Sequence, residues 1–450
     1  MHHLDLLKTH AKEIFTAGIA AADPFQAVNR VLRLEKDALC AGEAALPLAP
    51  GAKVHLLAVG KAAGPMAAAA ESILGEYLGE GLAVSKYDHL WPLRKVRLLQ
   101  AGHPLPDDNG LAATRAVGDL VTKADADDLV VCLLSGGASA LLPAPAAGIS
   151  LGEKLAATEL LLGCGASIQE INCVRKHLST LKGGGLARLV APRKLLTLVL
   201  SDVVGDPLDV IASGPTVPDP TSFAEALAVV DRYQLLQRLP AAVRQRLEQG
   251  CAGHIPETPK PGESCFAGQV VQLVGSNAQS LTAAAAAAAR LGYTPLVLTS
   301  SLTGETREVA AVHAAIAREL VASGQPLPPP VCLLSGGETT VTLRGSGRGG
   351  RNQEFALAAA LGIAELADVV ILSGGTDGTD GPTDAAGAIV DGSTLQRARQ
   401  LGLDPAQHLQ QNDAYPFFAA LGDLLITGPT NTNVMDLQLI LAGKPTSPPP

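Results

Sequence analysis

Aromatic residues are scarce. Seven Phe, five Tyr and one Trp make up 3% of the 450 residues, so any core must be built from Ala, Leu and Val. A hydrophobic content of 47% is ample for that and excludes the disordered class. Positive charge is not in excess either. The formal net charge of −9 argues against nucleic acid or an anionic membrane surface as partner. The seven cysteines are odd in number, scattered, and form no C-x-x-C pair, so a disulfide framework and a zinc site both fit poorly. No apolar run approaches the roughly 20 residues of a spanning helix. The first residues, Met-His-His-Leu-Asp-Leu-Leu-Lys, lack the apolar core of a signal peptide. The expectation is a soluble, cytoplasmic protein, monomer or homodimer, with a reduced interior. Two catalytic signatures are also missing: there is no G-x-x-x-x-G-K-[ST] loop and no G-x-S-x-G elbow.

What the chain does have is the tetrapeptide Leu-Ser-Gly-Gly three times, each copy directly after an apolar run. The copies end in Ser135-Gly136-Gly137, Ser335-Gly336-Gly337 and Ser373-Gly374-Gly375. A short β-branched run without polar alternation predicts a strand buried on both faces, hence a parallel sheet covered by helices. Ser-Gly-Gly at its carboxyl end lets backbone approach a ligand, with amides ready to donate. Open α/β sheets bind ligands at that edge. Three such ends point to a phosphorylated small molecule, although αβ turns that merely need glycine would look the same.

Strands and helices alternate along the chain, which predicts a βαβ architecture. Helices are expected at 3–21 and 24–39, strands at 54–59, 82–85, 95–101, 129–134 and 195–200. Ser167 to Glu170 reads as a capping box for a helix running to His177. Residues 251–268 lose periodicity and are rich in Pro and Gly. The expected division is therefore an amino-terminal Rossmann-like α/β domain over 1–262 and a smaller carboxyl-terminal α/β domain over 263–444. Residues 445–450 are expected to form a disordered tail.

Several segments could carry chemistry. Gly60-Lys61 sits where a strand hands over to a helix, a place from which a lysine reaches the cleft above the sheet. Leu200-Ser201-Asp202 ends another strand in a carboxylate, with Asp206 four residues on. Asp202 could hold Mg²⁺ or accept the proton of an attacking hydroxyl. Residues 338–354 interleave three arginines with small residues, a local polyanion receptor in a negatively charged chain. Its Gly345-x-Gly347-x-x-Gly350 formally matches a dinucleotide fingerprint, but the next strand ends in Ser373 instead of the acidic residue a ribose requires. Thr376-Asp377-Gly378-Thr379-Asp380 places carboxylates on a glycine-rich loop suited to Mg²⁺ beside phosphates, without the terminal Glu of a calcium loop. His103 reads as a structural turn histidine, and Ser139 resembles a nucleophile only superficially.

Taken together, these segments resemble the class II glycerate 2-kinases, whose carboxyl-terminal part is the MOFRL domain. The shared motifs run from Ala58-Val59-Gly60-Lys61-Ala62 through Leu134-Ser135-Gly136-Gly137-Ala138-Ser139, Leu200-Ser201-Asp202-Val203 and Ala212-Ser213-Gly214-Pro215-Thr216. They continue to Ser335-Gly336-Gly337-Glu338, Gly349-Gly350-Arg351-Asn352-Gln353-Glu354, Thr376-Asp377-Gly378-Thr379-Asp380-Gly381 and Gly428-Pro429-Thr430-Asn431-Thr432-Asn433. The resemblance implies two α/β domains, the second with a mixed sheet, and an active site in the cleft between them. It also implies ATP- and Mg²⁺-dependent phosphorylation of D-glycerate at its 2-hydroxyl, a reductase of hydroxypyruvate being the alternative. Carried over, Lys61 and Arg351 are the expected phosphate-handling pair, with Asp202 as the third catalytic residue and Glu338 a supporting carboxylate. The Ser-Gly-Gly ends, Glu338, Gly349, Gly350, Asn352, Thr376 and Asp377 are expected to bind ATP. Asp202, Glu338, Asp377 and Asp380 are expected to hold Mg²⁺.

Overall fold

The computed structural model describes residues 3–443. The tail expected at 445–450 lies outside them. The chain divides into two units. One comprises residues 24–201 and 206–274; the other comprises 1–23, 202–205 and 275–450. The expected division at 262/263 differs from this in two ways: the second series begins at Gly275, and the first 23 residues belong to the carboxyl-terminal unit.

The first unit opens with the helix Pro24–Val31 and a three-stranded antiparallel meander, β1 (Leu32–Glu35), β2 (Ala38–Ala41) and β3 (Ala44–Pro47). The helix expected over 24–39 thus stops at Val31. Leu32-Arg33-Leu34-Glu35 alternates apolar and polar with period two, and that period favours a strand. Its main sheet contains β4 (Val54–Val59), β5 (Leu78–Lys86), β6 (Arg97–Ala101), β7 (Leu129–Leu134), β8 (Lys194–Leu200) and β9 (Val270–Gly275), in the order β6-β5-β4-β7-β8-β9. β4 pairs in parallel with β5 and β7, as do β5 with β6 and β7 with β8. β4 and β7 are buried at every residue, as unalternated apolar runs require. Reciprocal capping boxes start the helices at Ser150/Glu153, Ser167/Glu170 and Ser222/Glu225, and the second of these helices ends at His177.

The second unit holds a mixed sheet of β10 (Thr294–Leu302), β11 (Val331–Gly337), β12 (Val369–Gly375), β13 (Gly387–Asp391), β14 (Leu424–Leu425) and β15 (Asp436–Ala442). Their order is β10-β11-β15-β12-β13-β14. β15 runs antiparallel between β11 and β12, and both neighbours meet Asp436 at their last residue, through Gly337 and Gly375. One face packs Val370, Leu372 and Leu439 against Leu7, Ile14 and Phe15 of the helix His3–Ala21 and against the helix Asn277–Arg290. The other face packs Ile371 and Ile440 against Phe355, Phe417 and Ala314. All seven cysteines are free thiols. Among the described residues no helix is long and apolar enough to cross a membrane.

Candidate active site

In the first unit, β4 and β7 are register neighbours, so their carboxyl ends lie side by side. The chain leaves β4 through Gly60, whose φ of +131° suits glycine, and a Cβ there would sit 2.2 Å from Ser135 Oγ. Ser135 Oγ accepts the Ala62 N–H at 3.1 Å, and the Lys61 N–H donates to Gly136 O at 2.8 Å. The first Ser-Gly-Gly therefore fixes the turn that carries Lys61. Gly137, at φ +87°, faces His103 and the Lys61 stem: a Cβ would lie 2.9 Å from His103 Cδ2 and 3.4 Å from Lys61 Cγ. Burial, then the charges of Lys61, Lys86 and His89, push the His103 pKa down to about 4. This is a compact cationic end of a sheet. In the sequence, His103 stood alone; the parallel pairing of β4 and β5 supplies its company.

Asp202 lies two residues beyond β8. Asp206, with φ +55°, keeps one buried carboxylate oxygen without a hydrogen-bond partner.

In the second unit, the helix Arg351–Gly362 begins where the Arg-Gly loop ends. That loop is pinned along its length. Arg344 and Gly345 N–H donate to Asn412 Oδ1, Arg348 N–H donates to Asp413 Oδ1, and the Arg348 guanidinium stacks 4.3 Å from the Tyr415 ring centroid. Arg351 Nε and Nη2 donate to the two oxygens of Asp436 at 2.6 and 3.0 Å, and Nη1 donates to Glu338 Oε1 at 2.7 Å. Burial works against the guanidinium charge, but the Asp436 bonds and charge, with Glu338 and Asp380 nearby, outweigh it and hold the Arg351 pKa above its ordinary range. Asp436 itself is fully buried, and burial raises its pKa against the pull of Arg351 and Asn352. It was missed in the sequence; the only signal was a carboxylate heading an apolar strand, Asp436-Leu437-Gln438-Leu439-Ile440.

Other expected residues have structural work. Asp380 Oδ1 and Oδ2 accept the Asn352 and Gln353 N–H groups at 3.0 and 2.8 Å, so it caps the helix. Gly350 is tight against it: a Cβ there would meet Asp380 Cγ at 2.3 Å. Burial raises the Asp380 pKa to about 7 in spite of those bonds. The Ser335 hydroxyl lies 3.0 Å from His313 Nε2, and the Ser373 hydroxyl donates to Asn352 Oδ1 at 2.6 Å. Both hydroxyls thus have a partner within the same unit. Gly336, Gly337 and Gly374 sit against Asn277, Leu302 and Phe15. Glycine is needed at those three for close packing. Gly349 and Gly375 likewise lie against neighbouring chain, at Ala414 and Thr379. Thr376 donates to Met435 O, and Asp377 Oδ1 accepts from Thr379 N–H at 3.0 Å on a half-exposed loop. Among the described residues no three His, Cys, Asp or Glu side chains converge as a metal group, so Asp202, Glu338, Asp377 and Asp380 do not form one ligand set.

Residues 10–248 match the family described as a domain of unknown function (DUF4147), and residues 331–436 match the MOFRL family. The chain is 41% identical over 427 residues to a glycerate 2-kinase of Pyrococcus horikoshii, covering 94% of each. It is 43% identical over 433 residues to a D-glycerate 2-kinase of Thermotoga maritima, covering 96% of this chain and 97% of the relative. An Agrobacterium vitis relative provisionally named hydroxypyruvate reductase is 43% identical over 434 residues. The crystal structure of a Thermotoga maritima glycerate kinase superposes with a TM-score of 0.87 at 42% identity, covering 97% of this chain and 100% of that one. With both domain families matched and relatives aligned along nearly its whole length, this chain belongs to the DUF4147–MOFRL family of glycerate 2-kinases.

Proposed function

We propose that the chain transfers the terminal phosphoryl group of ATP to the 2-hydroxyl of D-glycerate, giving 2-phosphoglycerate and ADP. The observation that carries this reading is the near full-length likeness to relatives named glycerate 2-kinase. The side-chain arrangement is suited to it. Phosphoryl transfer needs positioning and charge neutralisation more than covalent chemistry. Arg351 has five N–H donors, of which Asp436 and Glu338 take three, which leaves about two for phosphate oxygens in a fork that cannot swing. Lys61, on a turn fixed by Ser135 and Gly136, supplies a second cation. Asp202 accepts the proton of the attacking hydroxyl.

Mg²⁺ would neutralise the phosphates and takes only one or two protein carboxylates. Glu338 and Asp377 fit that need, because among the described residues only one oxygen of each accepts a hydrogen bond. Asp380 fits poorly, since both its oxygens are occupied by backbone amides.

The reductase alternative gains nothing from Gly345-x-Gly347-x-x-Gly350. A dinucleotide pyrophosphate would occupy the helix amides after it, and Asp380 already accepts from Asn352 and Gln353 there.

The test is a phosphorus NMR spectrum of the protein with ATP, Mg²⁺ and D-glycerate. A 2-phosphoglycerate signal matched by ADP is expected. A 3-phosphoglycerate signal would keep the kinase and change the hydroxyl, whereas unaltered ATP would overturn the reading.

A further inference from the structure

The helix Ile168–His177 carries two adjacent cations that are treated differently. Lys176 is paired with Asp209 and Asp219, each at 3.2 Å. Arg175 has no such partner: its Nη2 donates to Ser139 Oγ at 2.8 Å and its Nη1 to Asn172 Oδ1 at 3.5 Å, both neutral. Behind it lie two more cations without a carboxylate. Lys182 is 3% exposed and donates to Ser139 O at 2.7 Å and Leu142 O at 3.4 Å; Lys154 is 5% exposed and donates to Pro143 O at 2.5 Å. Among the described residues none of the three is in an ion pair; Lys154 feels the charge of Arg175, and Lys182 that of Lys154 and Arg175. Burial drives both lysine pKa values well down, so they can shed their protons. A guanidinium cannot, and a poorly solvated, unpaired Arg is costly to keep.

The serine partner is equally suggestive. Ser139 Oγ also lies 2.9 Å from Ser213 Oγ. Ser213 sits in a run of three left-handed residues, with φ of +54°, +62° and +59° at Ala212, Ser213 and Gly214. For Ala and Ser that is strained backbone, of a kind that gathers at ligand sites. Ser139 and Arg175 are partly exposed, while Ser213, 1% exposed, and the lysines are closed behind them, so a small molecule can reach this face at Ser139 and Arg175.

We propose that the Arg175 guanidinium and the Ser139 hydroxyl, which Ser213 holds from behind, bind the carboxylate of the acceptor substrate. This rests on the kinase reading. The shared chemistry is an oxyanion, which a nucleotide phosphate could also supply; one planar fork beside one hydroxyl matches the two oxygens of a carboxylate best. The Ser139 hydroxyl, able to donate or accept, completes the set.

The test compares D-glycerate with glyceramide, which keeps the hydroxyls and replaces the carboxylate by a neutral amide. The wild-type protein should prefer D-glycerate, and Arg175→Met should raise the KM for D-glycerate roughly 10- to 100-fold. The KM for ATP should stay within about twofold, and the preference over glyceramide should vanish. Arg175→Lys, which keeps the charge and the helix, should fall in between, and D-glycerate should raise the melting temperature of wild type more than that of this variant. An unchanged D-glycerate KM in folded Arg175→Lys and Arg175→Met overturns the proposal. So does a rise confined to ATP, which would assign the fork to the nucleotide. Wild-type protein that makes no phosphoglycerate overturns the kinase reading itself, a result separate from either.

Discussion

Asp436 decides what Arg351 can do. It takes Nε and one Nη2 hydrogen, fixing the plane of the guanidinium, and shares its Oδ1 with Asn352 Nδ2 at 2.9 Å. Asp436→Asn keeps the shape and removes the charge that holds the fork. The expected result is a fall in kcat on the order of 100-fold, since small misplacements of a phosphate-binding group cost about that much. Glu338→Gln removes one contact of the fork and a carboxylate fitted to Mg²⁺, so it should lower kcat less than Asp436→Asn while raising the Mg²⁺ concentration needed for half-maximal rate. Steady-state kinetics of the two variants, with melting curves as a fold check, measure the difference. His103 offers a pH prediction. Its folded pKa of about 4 lies below the ordinary 6.5, so the unfolded chain binds the proton more readily. Its contribution to stability is present above about pH 6.5 and is lost as pH falls toward 4. Thermal melts between pH 7 and pH 4 should therefore fall more steeply for wild type than for His103→Gln. Equal slopes would refute the assignment.

At the scale of elements, most of the fold was legible because the signals were local. Buried apolar runs marked β4, β7, β8, β11 and β12, and Ser167 with Glu170 marked both ends of one helix. The failure at 32–39 had a local cause too, a period-two stretch read through as helix. What remained illegible was pairing at long separation. Nothing near Asp436 announces that β15 will enter between β11 and β12, 85 residues from the Arg351 it holds. Nothing at Ser335 or Ser373 announces their hydrogen-bond partners, His313 and Asn352, which lie on the helices Thr306–Ser323 and Arg351–Gly362. The glycines at 336, 337 and 374 serve close packing, against the Asn277 side chain, the Leu302 backbone and the Phe15 ring. Gly60 allows a test. A Cβ there would meet the Ser135 backbone oxygen at 2.5 Å, and φ +131° is strained for alanine. Gly60→Ala should cost about 1–3 kcal/mol of stability. It should also displace the Lys61 turn, lowering kcat on the order of 100-fold in protein that still melts cooperatively.

For the whole molecule, the expected class was two α/β units, and the two compact units divide the chain differently from the boundary expected at 262/263. Two α/β units are present, but the segment expected to open the first belongs to the second. Leu7, Ile14 and Phe15 pack on Leu281, Leu437 and Leu439, and Lys8 joins Asp391 and Asp423 at 2.7 and 3.0 Å. An amphipathic helix advertises an apolar face, not the sheet that will cover it. Only the folded chain shows that choice.

The position of β15 has a consequence in time. Synthesis runs from the amino terminus, and domains that are complete can fold while the rest is still being made. The first unit is complete once Val274 has emerged. The second also needs the helix His3–Ala21 and, at the centre of its sheet, β15, which in the sequence follows both of the strands it joins. Until Asp436 leaves the ribosome, β11 and β12 have no strand between them and Arg351 lacks the carboxylate that takes Nε and Nη2. The Arg351 fork thus takes its observed geometry only on a chain that has grown past Asp436.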